Sequence, residues 1–210
     1  SSDLYTNITH ELRTPLTLIL GPLEDMQKET SLPAKQAQKL SVIHQSALRL
    51  LNLINQILEF RKTETQNKKL CVSKGNIAPL IYEIGLKYKE LNQKTKIDFQ
   101  IQIEKEEMFL FFDKEIITIV LDNLISNAIK YTEQGRVTLS LYQTMRNEVA
   151  YTEIKVSDTG YGISAEALPH IFDRYYQESG KHQASGTGIG LALVKNLVTL
   201  HEGEIRAESI

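Results

Sequence analysis

Apolar residues recur at spacings of three and four along the first third of the chain. Leu4, Ile8, Leu12, Pro15/Leu16, Ile19, Leu23 and Met26 form one series, and Leu40, Ile43, Ala47, Leu50/Leu51, Ile54 and Ile57/Leu58 a second. That period places apolar side chains on one face of a helix, so two helices are predicted. Between them Thr30-Ser31-Leu32-Pro33 supplies cap and turn residues, and Pro33 suits a position just before or at a helix start. A helix over Ala34–Gln66 spans roughly 50 Å at ~1.5 Å per residue. A single hairpin of that length cannot cover either stripe. The pattern therefore predicts self-association, two hairpins forming the four-helix bundle of a homodimer.

From about Lys68 the rhythm changes. Leu70–Ser73, Lys96–Ile103, Met108–Phe112, Arg136–Gln143 and Tyr151–Ser157 are rich in Val, Ile, Phe, Tyr and Thr and read as strands. Gly135 and the polar Asn147-Glu148 punctuate them. Asn76–Leu91, Asp113–Tyr131 and Gly188–His201 read as helices. Strands with helices between them predict an α+β sandwich, helices covering one face of a mixed sheet. The expected boundary lies in the short polar stretch Thr65–Lys69, giving domains at 1–66 and 67–210.

Composition narrows the classes. The 210 residues carry 24 Lys+Arg and 26 Asp+Glu, with 41% hydrophobic and 24% charged residues, as in a globular protein with a core. The near-neutral balance disfavours an electrostatic nucleic-acid binder. No apolar run approaches the ~18 residues that suggest a membrane span. One cysteine, Cys71, excludes an internal disulfide framework and a Cys-cluster zinc site.

Four short segments carry candidate chemistry. On a helical wheel His10 lies about 200° from Ile8, away from the apolar stripe, with Glu11 beside it and Thr14 on the same face. Pro15 cannot donate to the Glu11 carbonyl, so a bend is expected one turn after His10. An outward imidazole beside a carboxylate suits a nucleophile that meets a separate catalytic surface. It also suits a plain surface histidine on a kinked helix. In the second segment Asn123, Asn127 and Lys130 fall within about 60° of one another, two carboxamides and an ammonium in one row. Such a row can meet phosphate oxygens and Mg²⁺, which prefers oxygen ligands and retained waters. It is equally a solvated stripe on an amphipathic helix.

The third segment, Asp158-Thr159-Gly160-Tyr161-Gly162-Ile163, follows an apolar strand directly. Its glycines allow a close backbone approach to a flat ligand, with one carboxylate at the edge. A lone G-x-G is also an ordinary turn, and the third glycine of a dinucleotide fingerprint is missing. The fourth, Gly186-Thr187-Gly188-Ile189-Gly190-Leu191, leads into a helix whose N–H groups and dipole can receive phosphate, without the pattern of a Walker loop. The polar stretch Gln177–Ser185 before it, with Gly180, reads as a mobile lid, and equally as a plain flexible linker.

The order of these segments is more specific than any one of them. His10-Glu11-x-x-Thr14-Pro15, then Asn123-x-x-x-Asn127-Ala128-x-Lys130, Asp158-x-Gly160-x-Gly162, Phe172-Asp173-Arg174-Tyr175-Tyr176 and Gly186-x-Gly188-x-Gly190-Leu191 resemble the H, N, G1, F and G2 boxes of a sensor histidine kinase core. The resemblance covers almost the whole chain. It implies a dimerisation and histidine-phosphotransfer domain followed by a gyrase/Hsp90-like ATP-binding domain, using ATP and Mg²⁺. It further implies His10 as phosphoacceptor, Glu11 as its base or orienting carboxylate, and Thr14 as positioner of water during dephosphorylation of a regulator. Asn127 would ligate Mg²⁺, assisted at the phosphates by Asn123 and Lys130. Asp158 would take the adenine amino group, with Gly160, Gly162, Ile163 and Tyr131 shaping the wall. Arg174 and Tyr175 would border the phosphates from the lid edge, and Gly186, Thr187, Gly188, Ile189, Gly190 and Leu191 would cradle them.

The activity implied is phosphorylation of His10 from ATP, then transfer to an aspartate of a response-regulator receiver domain. The alternative within the resemblance is a phosphatase-dominant member; the alternative from a different class is a silent scaffold whose ATP site only stabilises a dimer. Gyrase-like hydrolases carry a water-activating glutamate four residues before the metal-binding asparagine; Asn123 stands there, and an amide cannot accept a proton from water as a carboxylate does. Slow spontaneous ATP hydrolysis is expected. Relatives usually continue past Ala207-Glu208-Ser209-Ile210 into a last strand, so that strand is expected to be truncated, leaving an unpaired edge. The implied location is the cytoplasmic portion of an inner-membrane sensor, joined to the membrane only through a missing upstream segment.

Overall fold

A computed structural model of the chain describes residues 2–92, 94–177 and 188–210, and the side chains from residue 8 onward within them. Two compact units compose it, Ser1–Lys68 and Lys69–Ile210.

The first unit is a hairpin of α1 (Ser2–Gln27) and α2 (Ala34–Glu64). Pro33 stands at the N-cap of α2, and Arg61 and Lys62 lie in its last turn, where cations favour the helix dipole. Leu16 and Leu20 of α1 pack with Ala47, Ile54 and Leu58 of α2. Leu20 thus replaces Ile19 of the expected stripe, and the apolar face divides. Leu16 is 6% exposed, whereas Leu12 and Ile19 are each 52% exposed, with Ile8 and Met26 close behind. Leu12, Ile19 and Met26 are spaced by sevens, as are the exposed Ile43 and Leu50 on α2. Heptad spacing of exposed apolar groups is the pattern of a coiled-coil seam. α1 stays helical through Pro15 and Pro22.

The second unit holds β1 (Ser73–Asn76), α3 (Ile77–Leu91), β2 (Ile97–Ile103), β3 (Phe109–Phe112), α4 (Lys114–Lys130), β4 (Gly135–Arg146), β5 (Val149–Asp158) and α5 (Gly190–Leu200). β1 and β3 pair antiparallel, while β2, β4 and β5 form a mixed sheet with β2 parallel and β5 antiparallel to β4. The mixed sheet and its helices match the expected α+β class, with the β1–β3 ladder as a separate pair. Val137, Leu139 and Leu141 alternate along β4 onto its buried face, against Ile81 and Ile84 of α3 and Leu121 and Ile125 of α4. Asn147 and Glu148 join β4 to β5 with φ of 49° and 68°, the left-handed pair of a two-residue hairpin turn that follows the sheet's twist.

Asp113 anchors the helix that carries the second segment. Its Oδ1 accepts the Ile116 N–H at 3.1 Å, capping α4, and its Oδ2 accepts the Cys71 N–H at 2.8 Å. Its own N–H donates to Nε2 of His201, at the C-cap of α5, at 2.9 Å. The start of α4 is thereby tied to the end of α5. Residues 203–210 form no strand; Arg206 pairs with Glu153 of β5 at 3.8 Å, and Ser209 Oγ accepts the Ile163 N–H at 2.8 Å.

Candidate functional site

His10, Glu11, Arg13 and Thr14 are all exposed on α1. His10 projects away from the packed leucines, as its place on the wheel requires. With Arg13, Thr14, Thr17 and Leu18 it lines an open hollow of about 390 Å³. Pro15 removes one donor from this turn, and the threonine hydroxyls bond back to the helix: Thr14 Oγ1 donates to the His10 carbonyl at 3.4 Å and Thr17 Oγ1 to the Arg13 carbonyl at 2.9 Å. The imidazole is left open to an incoming group.

In the second unit the other segments converge on α4. Asn123 is 9% exposed, and its Nδ2 donates to the Ile119 carbonyl at 2.9 Å. Its Oδ1 faces the first residue of α5, since a Cβ on Gly190 would stand 3.0 Å away. One turn on, Asn127 is half-buried, and Lys130 is exposed with Nζ 5.6 Å from the centre of the Tyr131 ring. The row expected from the wheel therefore grades from buried to open along the helix.

Asp158 ends β5 and is exposed; its Oδ1 accepts the Gly160 N–H at 2.9 Å. A carboxylate has about four acceptor sites, so this turn leaves capacity for a ligand's donor. Gly160 lies against the Tyr131 carbonyl, with no room for a side chain, and Tyr161 N–H donates to that carbonyl at 3.2 Å. Gly162 takes φ +74°, a conformation costly for residues with a Cβ. The Glu133 carboxylate accepts from the Tyr161 hydroxyl and raises that phenol above its ordinary pKa. The third segment is thus pinned to the C-terminal end of α4.

The remaining two segments are joined to each other. The Tyr175 N–H donates to the Gly188 carbonyl at 2.9 Å, and a Cβ on Gly188 (φ +70°) would stand 2.7 Å from Tyr175 Cα. Arg174 is exposed, its guanidinium 5.9 Å from the Tyr175 ring. Phe172 receives Lys195 Nζ over its ring at 5.7 Å, which ties the Phe172–Tyr176 stretch to α5. Ile189 is buried at the N-cap of α5, where its side chain makes no capping hydrogen bond, and Leu191 is half-buried. First-turn N–H groups without a side-chain cap are suited to an anion. Gly186, Thr187 and the stretch read as a lid from residue 178 onward lie outside the described residues. Among the described residues no three His, Cys, Asp or Glu side chains gather as a metal cage. A cation here would rest on carboxamide and phosphate oxygens, the habit of Mg²⁺.

Thr132 escapes a motif reading: it follows the helix as an ordinary polar residue yet is fully buried beneath Gly160.

Residues 1–66 match the family model described as the His Kinase A (phospho-acceptor) domain, and residues 112–210 that of the histidine kinase-, DNA gyrase B- and HSP90-like ATPase. Histidine kinase P4 of Formosa agariphila is 38% identical over 97% of this chain and 15% of its own length. The sensor histidine kinase WalK of Bacillus subtilis is 31% identical over 99% of this chain and 34% of its own. The chain thus spans a minor part of these relatives. Among solved structures, full-length ShkA in complex with AMPPNP superimposes with a TM-score of 0.75 at 24% identity, covering 100% of this chain and 44% of that one. Two matched domains in this order, carrying an exposed His10 and a glycine-bounded site on α4, place the chain in the sensor histidine kinase family.

Proposed function

We propose that this chain is the core of a protein-histidine kinase, with residues 1–66 the dimerisation and phosphotransfer domain and 67–210 the catalytic ATP-binding domain. The observation that carries the reading is the convergence of Asp158–Ile163 and Gly188–Leu191 on the two ends of the Asn123–Tyr131 stretch of α4. ATP lies there with its adenine against Asp158 and Tyr131 and its phosphates toward Asn127, Lys130 and the N-terminus of α5. Asn127 is the protein's Mg²⁺ ligand, and the ion supplies charge neutralisation at the phosphates. A neutral ring nitrogen of His10 forms a bond to the γ-phosphorus as the bond to the bridging oxygen breaks, and ADP leaves. Glu11 holds and then takes the proton of the other ring nitrogen. Positioning and charge dispersal dominate such a transfer.

The phosphoryl group then passes to an aspartate of a response-regulator receiver domain. Thr14, one turn from His10, orients water when the same surface removes phosphate from that regulator. One relative's name, the autoinducer 2 sensor kinase/phosphatase LuxQ of Vibrio vulnificus, joins the two activities. Asn123 offers an amide already engaged with Ile119, which favours holding ATP over hydrolysing it. The exposed heptads of α1 and α2 form the seam of a homodimer. No helix among the described residues is long and apolar enough to cross a membrane, and the proposed setting is the cytoplasmic portion of a membrane sensor anchored upstream.

Incubation with γ-labelled ATP and Mg²⁺ is expected to label the chain with an acid-labile, base-stable phosphate. His10→Ala abolishes the label, and Asn127→Ala and Asp158→Ala lower it at least tenfold. Persistence of label in His10→Ala, or full labelling of Asn127→Ala, contradicts the assignment.

A further inference from the structure

The chain leaves α2 by folding back onto it. Gln66 takes φ +58°, a left-handed conformation that a side chain disfavours, and the backbone reverses there. The Lys62 carbonyl then accepts from both the Asn67 N–H at 2.9 Å and the Lys68 N–H at 3.0 Å. The Lys68 side chain is only 10% exposed, and its Nζ stands 3.2 Å from Glu59 Oε2. Lys62 Nζ lies 3.6 Å from the other oxygen of that carboxylate. Water and salt screen a partly covered pair less than a surface one, so this pair can hold a disfavoured turn closed. On the far side, the Cys71 N–H is fixed to the Asp113 carboxylate of the second unit at 2.8 Å. Lys69 and Leu70 alone separate the two anchored ends, a stretch no longer than about 10 Å. The root of this joint is level with His10. Glu24 of α1 meets His44 of α2 at 3.3 Å. Antiparallel helices rise equally per residue, so His10, 14 residues before Glu24, is level with Leu58, 14 after His44. Lys68, folded back onto Glu59, stands at the same height.

We propose that Lys68 is a positioning residue for phosphorylation of His10, its ion pair with Glu59 keeping the joint between the two units to two residues. The proposal rests on the kinase reading above. A unit tied by a short joint samples a small volume around the joint's root. With that root at the height of His10, the joint has little to span, and the effective concentration of bound ATP at the imidazole is high. Freeing residues 66–68 lengthens the joint from two residues to five. Effective concentration falls roughly as the −3/2 power of tether length, so release lowers the encounter about fourfold. The nucleotide site itself is untouched, because Lys68 and Glu59 both belong to the first unit. The hinge is therefore Lys69–Leu70, and the polar residues before it are a clamp.

The test is the initial rate of His10 labelling by γ-labelled ATP, measured on the full chain over a range of ATP concentrations. Lys68→Ala is expected to lower the saturating rate about fourfold and to leave the half-saturating ATP concentration within about twofold of the parent. The amides of residues 67 and 68 exchange with solvent about tenfold faster in that variant. Lys68→Arg, which keeps the pair, labels at the parent's rate. Three glycines inserted between Lys69 and Leu70 lengthen the joint with the clamp intact. They are expected to reproduce the fourfold loss while residues 67 and 68 stay protected, an effect that a merely structural lysine does not produce. Should Lys68→Ala fail to fold, Glu59→Gln breaks the same pair. Parent-rate labelling in Lys68→Ala despite fast exchange overturns the proposal, and so does continued protection of those amides. A raised half-saturating ATP concentration does the same, since it places the effect in the nucleotide site. A parent chain that binds ATP and never labels His10 overturns the kinase reading itself.

Discussion

Gly190 opens α5 directly against Asn123 of α4, and a Cβ on the glycine would stand 3.0 Å from Asn123 Oδ1. The glycine is needed for proximity, not for an unusual backbone. Asn123 can yield only by straining its bond to the Ile119 carbonyl. Gly190→Ala is therefore expected to fold, to lose about 1–2 kcal/mol of stability from overpacking, and to label His10 several-fold more slowly. Calorimetric unfolding and the γ-labelled ATP assay check both outcomes.

At Gly160 the constraint is harder, because the obstructing group is the Tyr131 backbone carbonyl and not a side chain. Backbone at the end of a helix cannot move aside as a side chain can. Gly160→Ala is expected to cost about 3 kcal/mol, at the upper end of overpacking effects, and to break the Tyr161 bond to Tyr131 O. Urea unfolding measures the loss. A drop below about 1 kcal/mol contradicts a close approach here.

The helices and the order of the site segments were legible because they follow local rules, apolar periodicity for α1 to α5 and glycine placement for the loops. What the sequence hid are relationships set by tertiary packing. Leu70–Ser73 reads as a strand by composition, yet the ladder with β3 is made by Ser73–Asn76, while the Cys71 N–H goes to the Asp113 carboxylate. Pairing partners outweigh residue preference in such short strands. The 3₁₀ turn Leu168–His170 is too short to carry a periodic signature. Similarly, His201 accepting from Asp113 N–H joins residues 88 positions apart, and Thr132 carries no motif. The wheel placed His10 outward correctly, but only packing decided that Leu20, not Ile19, turns to α2.

Tyr88 links α3 to α4 by donating its hydroxyl to Asp122 Oδ1 at 2.8 Å. Burial pushes its phenol well above the ordinary value of 10.0; a hydrogen bond with Ser126 opposes that rise, and the Asp122 carboxylate adds to it. Below pH 10 both folded and unfolded chains keep the proton, and the contact contributes fully. Above it the unfolded chain releases a proton that the folded one retains, so stability falls as pH rises. Tyr88→Phe is expected to cost about 1 kcal/mol at neutral pH and to show a shallower loss of stability between pH 10 and 11.5. Urea midpoints across that range check the sign; parallel curves for the two proteins contradict it.

The exposed heptad of α1 gives a prediction about assembly. Leu12 and Ile19 contribute little to the hairpin's own core, which is built from Leu16, Leu20 and their α2 partners. A lysine at either position keeps its charged end in water in an isolated hairpin but is forced into the seam of a bundle of two hairpins. Ile19→Lys is therefore expected to shift the chain from dimer to monomer in sedimentation velocity at micromolar concentration, leaving the second unit's ATP affinity unchanged. Leu16→Ala, which removes a buried side chain from the hairpin itself, should instead lower stability by about 2–4 kcal/mol. If Ile19→Lys remains fully dimeric, the seam lies elsewhere on the bundle. Retained His10 labelling in a monomeric Ile19→Lys would further show that the transfer takes place within one chain.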